Sequence, residues 1–146
     1  MRIAIASDHG GFDYKEQLVP YLTSLGHEVK DFGTDSTKSV DYCDFAFASC
    51  EAVANGEFDR GVLICGTGVG MSICANKVKG IRCALCSEPV SASLTRAHNN
   101  SNVVAMGART IGIEMAKAIL DAFLTTGFDG GRHETRVNKI IAYENK

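Results

Sequence analysis

Short apolar runs alternate with longer amphipathic stretches along the chain. The apolar runs are typical of β-strands, and they cover residues 2–7, 28–32, 61–65, 81–85 and 102–106. The second run is shorter and more polar than the others, which predicts a strand near an edge of the sheet. Strands that alternate with helices are joined by right-handed crossovers, so the pattern predicts a three-layer α/β/α sandwich with a Rossmann-like, five-stranded parallel sheet.

The amphipathic stretches predict the helices of this sandwich. They cover residues 13–25, 41–55, 71–76, 89–98, 111–125 and 132–143. The first carries Leu18, Val19, Leu22 and Leu25 on one stripe, and Pro20 within it predicts either a kink or a late helix start. No repeat or linker interrupts the alternation, and 146 residues is the size of one domain, so we expect a single domain over residues 1–146.

Composition and charge narrow the function classes. Hydrophobic residues make up 45% of the chain, which is enough for a sizeable core, and a net charge of −2 gives no electrostatic reason to expect nucleic acid or an anionic membrane as a partner. No apolar run approaches the length of a membrane span, and the chain starts with a strand instead of the apolar core of a signal peptide. We therefore expect a cytoplasmic protein.

The six cysteines fit that expectation. They are scattered through predicted helices and strands, whereas a small secreted domain would carry them as a disulfide framework. Cys83 and Cys86 form one C-x-x-C, but no second pair of cysteines or histidines accompanies it to complete a zinc site. We expect core thiols at these two positions, and a metal or redox role is the alternative.

The stretch with the most chemistry is a cysteine followed by a glycine-rich turn, CGTGVG at residues 65–70. A strand, a glycine turn and a helix together aim backbone N–H groups at an anion. Met71 excludes three known loops, because a cysteine-phosphatase loop needs arginine there, and a dinucleotide fingerprint or a P-loop needs glycine. What is left is a thiol beside an anion-binding turn, which suits proton abstraction next to a carbonyl group. A buried cysteine at the end of a strand is the alternative.

Ligands bind beyond the carboxyl ends of the strands in such sheets, so the segment after each strand contributes to a candidate site. Asp8 and His9 follow the first strand, a helix that ends in His98 and Asn99 follows the fourth, and Arg109 follows the fifth. Each has a plainer alternative. Asp8 could cap the next helix, the histidines could be solvated, and Arg109 could be a surface charge.

Arg132 and Arg136 lie four residues apart at the start of the last predicted helix, so they share a face. Like charges at this spacing repel each other, and cations at a helix N-terminus oppose the helix dipole. A sequence that tolerates both penalties suggests an anion between the two side chains, and phosphate would suit. Two independent, solvated arginines are the alternative. Tyr42, which lies beside two acids, is equally ambiguous.

Six motifs follow one another in order over essentially the whole chain. They are SDHGG from Ser7, VDYCDFA from Val40, VLICGTGVGMSICANK from Val62, CSEP from Cys86, RAHNNSNVVAMGAR from Arg96 and GGRHETRV from Gly130. Together they resemble ribose-5-phosphate isomerase type B, in the sugar-phosphate isomerase family that also contains the galactose-6-phosphate isomerase subunits. CGTGVG followed by HNN and GGRHxxR is a highly specific combination.

The resemblance implies a role for each candidate residue. The implied catalytic residues are Cys65, His98, Thr67 and Asp8. The implied substrate-binding residues are His9, Tyr42, Gly66, Gly68, Val69, Gly70, Asn99, Arg109, Arg132 and Arg136. Cys65 resembles the base that moves a proton between C1 and C2 through an enediolate, which the N–H groups of residues 66–70 would hold. Some members use a glutamate a few residues beyond a serine at this place, but no acid lies at residues 71–76 here.

The remaining implied roles concern the ring and the phosphate. His98 resembles the acid that opens the furanose ring, with Thr67 and Asp8 assisting at the sugar oxygens. His9, Arg132 and Arg136 resemble a phosphate clamp in which Tyr42 is a weaker candidate, and Asn99 and Arg109 resemble further substrate ligands.

The resemblance therefore implies an isomerase of ribose 5-phosphate and ribulose 5-phosphate that uses no metal and no cofactor. It also implies a homodimer or a dimer of dimers whose active sites draw on both subunits, so that His98, Asn99 and Arg109 would serve the partner subunit's Cys65. Two alternatives stay open. One is a six-carbon substrate, allose 6-phosphate or galactose 6-phosphate, and the other is a non-catalytic module that binds a sugar phosphate or a nucleotide.

Overall fold

The structure, a computed structural model, describes every residue from Met1 to Lys146. Its strands are β1 (Arg2–Ser7), β2 (Glu28–Asp31), β3 (Arg60–Cys65), β4 (Cys83–Leu85) and β5 (Val103–Gly107). They form one parallel sheet in the order β2-β1-β3-β5-β4. The predicted five-stranded parallel sheet is confirmed, and so is the edge position of β2. The fourth strand is shorter than predicted, because its pairing with β5 spans only three residues.

Six helices accompany the strands. They are α1 (Phe12–Ser24), α2 (Tyr42–Ala54), α3 (Val69–Ala75), α4 (Pro89–Asn99), α5 (Ile113–Thr125) and α6 (Arg132–Glu144). The late start suggested by Pro20 is wrong, because α1 begins at Phe12 with Pro20 inside it. Leu25 lies beyond the end of α1 and is 49% exposed, so it does not extend the buried stripe of Leu18 and Leu22. None of the helices has both the length and the apolar character needed to cross a bilayer.

Side chains alternate between the two faces of the sheet, as the strand period requires. Ile5 and Ile64 are buried on one face with residues of α1, α4 and α5. Ala6 and Cys65 are buried on the other face with residues of α2 and α3. The predicted three-layer sandwich is therefore confirmed, and the Cys65 side chain faces the layer formed by α2 and α3.

The two cysteines of the C-x-x-C motif lie on opposite sides of the sheet. Cys83 packs against the core shared with α2 and α3, while Cys86 is buried in the core shared with α1, α4 and α5. All six cysteines of the chain are free. Burial raises the pKa of Cys83 well above its ordinary value and that of Cys86 to about 11, so both thiols stay protonated at neutral pH. This arrangement supports core thiols and offers no basis for a joint metal or redox site.

Gly68 fixes the connection between β3 and α3. Its φ of +77° lies in the left-handed region, which residues other than glycine rarely adopt. A Cβ atom at this position would lie 2.5 Å from Cδ1 of Leu85 and 2.8 Å from the carbonyl carbon of Met106. Both the conformation and the close approach of β5 therefore require glycine here.

We expect Gly68→Ala to lower the free energy of unfolding by about 2–4 kcal/mol, because backbone strain and the contact with Met106 add up. Gly127→Ala is the matched control, since no heavy atom lies within 4 Å of a Cβ at Gly127. Its effect should stay within about 0.5 kcal/mol. Urea unfolding followed by circular dichroism measures both, and equal destabilisation by the two variants would contradict the role assigned to Gly68.

Candidate active site

Cys65 ends β3, and its sulfur turns back over the glycine turn. Sγ accepts a hydrogen bond from the Gly68 N–H at 3.1 Å, and the residue is only 5% exposed. The sulfur therefore lies against a backbone donor of the glycine turn. The plainer interpretation of Cys65 as a buried strand-end residue is thus correct about its burial, but the sulfur also has a polar partner and lies at the wall of a pocket.

The glycine turn presents backbone donors that the protein itself does not use. The N–H groups of Gly66, Thr67 and Gly70 donate to no protein acceptor, whereas that of Val69 donates to Oγ1 of Thr67 at 3.3 Å. Unpaired N–H groups in a turn are suited to hold an oxyanion. The turn can therefore supply the donors that the sequence predicted for it.

The pocket beside Cys65 has a volume of about 410 Å³. Its lining residues are Asp8, Tyr42, Cys65, Gly66, Thr67, Val69, Gly70, Ile73 and Arg109. Eight of these nine were candidates from the sequence, and Ile73 was not. Ile73 is a 57% exposed apolar residue of α3, and its sequence context gives no signal that separates it from other helix residues. A larger cavity of about 580 Å³ lies elsewhere, against α6, and contains none of the Cys65 pocket's residues.

Asp8 shapes the turn after β1, and the alternative that it caps the next helix is wrong. Its Oδ1 accepts hydrogen bonds from the N–H groups of Gly10 at 2.8 Å and Gly11 at 3.1 Å, just before α1 begins. These bonds brace the turn between β1 and α1, but they are not a helix cap, because Gly11 is the N-cap of α1 and no side chain caps it. Oδ2 has no protein donor, and the side chain lines the Cys65 pocket, so one carboxylate oxygen is available there.

His9 is oriented by the loop that follows β2. Its Nδ1 accepts a hydrogen bond from the N–H of Val40 at 3.2 Å. An imidazole that accepts a hydrogen bond through Nδ1 carries its proton on Nε2, so Nε2–H is the free donor. The predicted ligand of an anion therefore has the tautomer that such a ligand needs.

Tyr42 packs directly on the glycine turn. A Cβ atom at Gly70 would lie 2.8 Å from the Tyr42 ring, so only glycine allows this contact. The pKa of Tyr42 is raised, chiefly by the neighbouring Cys43 thiol and then by Cys74, which keeps the phenol protonated and able to donate.

Arg109 belongs to the pocket of its own chain. Its backbone N–H donates to the Gly66 carbonyl at 2.9 Å, and its Nη1 would lie 3.2 Å from a Cβ on Gly66. Its side chain forms no ion pair. The resemblance implied that Arg109 would serve the partner subunit's Cys65, whereas the structure places it in the pocket beside Cys65 of its own chain.

His98 and Asn99 lie at the opposite edge of the sheet. Helix α4 leaves the carboxyl end of β4 and returns the chain to the start of β5, so its last residues lie near the amino ends of the strands. Asn102 lies at this edge, because its carbonyl accepts the N–H of Gly61. Gly61 and Cys65 are four residues apart on a strand, which is roughly 13 Å. The prediction that all strand-following segments meet in one site is therefore wrong for a single chain.

Helix α6 brings Arg132 and Arg136 to the side of His98. The imidazole ring of His133 stacks on that of His98, with centroids 4.3 Å apart and an interplanar angle of 9°. Both arginines are exposed and form no ion pair, so their guanidinium groups are accessible to an anion and the anion site stays a prediction. Burial lowers the pKa of His133, and the charges of His98, Arg132 and Arg136 lower it further.

The molecule thus has two groups of candidate residues at opposite edges of the sheet. We define the Cys65 half-site as Asp8, His9, Tyr42, residues 65–70 and Arg109. We define the His98 half-site as His98, Asn99, Arg132 and Arg136. Asp129 and His133 adjoin the His98 half-site, and together with His98 they form a cluster of possible metal ligands that the sequence did not suggest.

Comparison with known proteins agrees with this architecture. The sequence model of the family described as Ribose/Galactose Isomerase matches residues 3–140. Ribose-5-phosphate isomerase B of Escherichia coli (strain K12) is 51% identical over 145 residues, which cover 99% of this chain and 97% of that protein. The D-erythrulose-4-phosphate isomerase of Pectobacterium atrosepticum is 43% identical over 147 residues, which cover 100% and 97% of the two chains.

A solved structure shows the same fold. Ribose-5-phosphate isomerase B of Clostridium thermocellum superposes with a TM-score of 0.98 at 50% identity, and the alignment covers 99% of this chain and 98% of that one. The matches extend over nearly the entire length of the chain in sequence as well as in structure. This chain therefore belongs to the ribose/galactose isomerase family.

Proposed function

We propose that this protein interconverts D-ribose 5-phosphate and D-ribulose 5-phosphate through an enediolate. The observation that carries the proposal is the Cys65 sulfur, held by the Gly68 N–H at 3.1 Å beside backbone donors without protein partners. Family membership and the 51% identity to the Escherichia coli ribose-5-phosphate isomerase B support the choice of a pentose phosphate.

The central step is a proton transfer with Cys65 as the base. The Cys65 thiolate removes the proton from C2 of the open-chain aldose, and the electron pair moves through C1 to the carbonyl oxygen, which becomes the enediolate oxyanion. The N–H groups of residues 66–70 stabilise that charge. The thiol then returns a proton to C1, while the proton of the C2 hydroxyl passes to the O1 oxyanion, which gives the ketose and restores the thiolate. No redox partner is needed, because the oxidation of C2 balances the reduction of C1.

Ring opening precedes this step for the aldose. His98 donates a proton to the ring oxygen, while the O1 hydroxyl loses its proton near Asp8 and Thr67. The Oδ2 atom of Asp8 is free of protein donors and lines the pocket, which supports a role at a sugar hydroxyl.

The phosphate is assigned to His9, Arg132 and Arg136, with Tyr42 as a weaker candidate and Asn99 and Arg109 at the remaining oxygens. The three arginines form no ion pairs within the chain, and Nε2–H of His9 is a free donor. Cations without acidic partners suit a phosphate dianion. Binding at the phosphate supplies energy that positions the reacting carbons against Cys65.

Two copies of the chain are needed to complete this site. The Cys65 and His98 half-sites lie at opposite edges of one sheet, and no side chain spans that distance. We therefore infer a homodimer, or a dimer of dimers, in which the His98 half-site of one subunit faces the Cys65 half-site of the other. Exposed apolar side chains accompany both half-sites, such as Ile73 at 57% on α3 and Ile140 at 51% on α6. Six free cysteines favour a cytoplasmic location.

Replacement of Cys65 tests the proposed base. In D2O with EDTA and ribose 5-phosphate, the wild type should form ribulose 5-phosphate that carries deuterium at C1, as followed by NMR. Cys65→Ala should lower the rate by at least about 100-fold, since a positioned base contributes 10²–10⁴-fold. Cys86→Ala is the matched control, because Cys86 is equally buried but lies on the other side of the sheet.

Isomerisation that survives in Cys65→Ala would refute Cys65 as the base. If neither the wild type nor the control turns over ribose 5-phosphate, a six-carbon sugar phosphate or a pure binding function takes its place. Binding of ribose 5-phosphate to an inactive wild type would favour the binding module.

Mixing of two inactive variants tests the shared site. A dimer of one Cys65→Ala and one His98→Asn subunit has one site with both changes and one site with neither. Refolding equal amounts together should therefore restore about a quarter of the wild-type activity. Cys65→Ala refolded with Cys65→Ser is the control and should stay inactive. Absence of recovery, although native mass spectrometry detects the mixed dimer, would contradict a site built from two subunits.

A substrate that has no ring tests the role of His98. D-Erythrose 4-phosphate cannot close a furanose ring, because its O4 carries the phosphate, so it needs no ring-opening acid. We expect His98→Asn to lower kcat/KM for ribose 5-phosphate by about 100-fold or more and to change that for erythrose 4-phosphate little. Equal losses with both substrates would show that His98 acts in a step other than ring opening.

A further inference from the structure

Three side chains next to the His98 half-site converge on one point. The imidazole nitrogens of His98 and His133 and a carboxylate oxygen of Asp129 all lie within 4.8 Å of one another. Both histidines are half-buried, while Asp129 is exposed. Two imidazoles and one carboxylate are a donor set that zinc-like cations favour, whereas Mg²⁺ and Ca²⁺ prefer oxygen ligands alone.

The backbone holds these residues together although they come from different segments. The N–H of Asp129 donates to the carbonyl of Ala97 at 3.0 Å, which ties the loop before α6 to the last turn of α4. The N–H of His133 donates to the carbonyl of Gly130 at 3.0 Å, and the His133 ring stacks on His98. The backbone positions of the three residues are therefore set by the fold.

We propose that His98, Asp129 and His133 form a binding site for a divalent transition-metal cation and that this site binds Zn²⁺ most tightly. Ligand bonds of about 2.0–2.2 Å place the donors of a tetrahedral site roughly 3.4 Å apart, so the cluster must contract. This contraction requires the exposed Asp129 side chain to rotate and the nearly parallel rings of His98 and His133 to tilt toward each other. Three protein ligands leave one position of the cation open to water or to a substrate oxygen.

The surrounding charges set the strength of this site. Arg132 and Arg136 lie on the same helix as His133, and their positive charges repel a cation. Asp129 is the only one of the three ligands with a negative charge to offset this repulsion. The site should therefore bind Zn²⁺ reversibly, and EDTA should remove the metal.

A consequence for catalysis rests on the proposed function. His98 cannot donate a proton to the ring oxygen while its nitrogen is bound to a metal. Zn²⁺ would then act as a reversible inhibitor of the isomerase, not as a cofactor, and the inhibition should be relieved by EDTA.

Binding is tested without reference to activity. Metal-free, full-length Cys65→Ala protein is titrated with zinc chloride by calorimetry, so that the pocket thiol does not contribute. We expect one site per chain, and Asp129→Asn and His133→Asn should each weaken it by more than about tenfold, because loss of an outer-shell partner alone costs 10–100-fold. Glu134→Gln is the matched control, since it removes a neighbouring carboxylate that is not in the cluster and should leave binding unchanged. Magnesium chloride should give no binding.

Inhibition is tested in the chain that keeps Cys65. Zn²⁺ should inhibit isomerisation by the wild type and by Glu134→Gln, and Asp129→Asn should need at least about ten times more Zn²⁺ for the same inhibition. The proposal is overturned if the Cys65→Ala protein binds no Zn²⁺, or if Asp129→Asn and His133→Asn, shown to be folded by circular dichroism, bind it as tightly as the parent. Failure of the isomerase assay would refute the proposed function and leave the calorimetric result to decide the metal site.

Discussion

Each helix between two parallel strands carries the chain from the carboxyl edge of the sheet back to its amino edge. This constraint separates the functional groups of the molecule. The turn after β3 keeps Cys65 at the carboxyl edge, whereas α4 delivers His98 to the amino edge, where the carbonyl of Asn102 is bonded to the start of β3. No rearrangement of loops can bring the two together without breaking the sheet. A second copy of the chain is therefore the simplest way to complete the proposed site.

At the carboxyl edge of the sheet, the backbone segments of neighbouring turns are in close contact. A Cβ atom at Gly11 would lie 2.4 Å from the Ile64 carbonyl oxygen, and one at Gly107 would lie 2.6 Å from the carbonyl carbon of Thr67. These contacts press the turns after β1 and β5 against the turn after β3. Because the three turns support one another, the N–H of Gly68 is held beside the sulfur of Cys65, and the neighbouring donors point into a pocket instead of bonding to each other. Preorganised donors of this kind need no reorganisation when an oxyanion forms.

The Cys65 half-site could be predicted well from the sequence, because its functional groups lie in short segments that each follow one strand. CGTGVG contains the thiol, the donors and the left-handed glycine within six residues, and Asp8 with His9 follows one strand directly. Residues whose position depends on the path of a whole helix were harder to place. Listing the segments that follow the strands grouped His98 with Cys65 of one chain, which is wrong, since His98 ends the helix and lies at the opposite edge of the sheet from the helix start. The role of Arg109 in its own pocket depends on a bond to Gly66, and the meeting of Asp129 with His98 depends on a bond to Ala97, neither of which leaves a periodic signal in the sequence.

Both half-sites contain arginines without acidic partners, and these charges would interact in a dimer. The chain as a whole is slightly negative, yet Arg109, Arg132 and Arg136 have no acidic partner within ion-pair distance. Facing half-sites in a dimer would place these unpaired cations around one cavity, where their mutual repulsion opposes association. In the proposed dimer, a phosphate dianion between them would relieve that repulsion, so substrate binding and subunit association would stabilise each other by thermodynamic linkage. The same anion would reduce the repulsion that a cation meets at His98, Asp129 and His133. Phosphate and Zn²⁺ would then bind to this edge with favourable coupling, even though the metal blocks the acid on which ring opening depends.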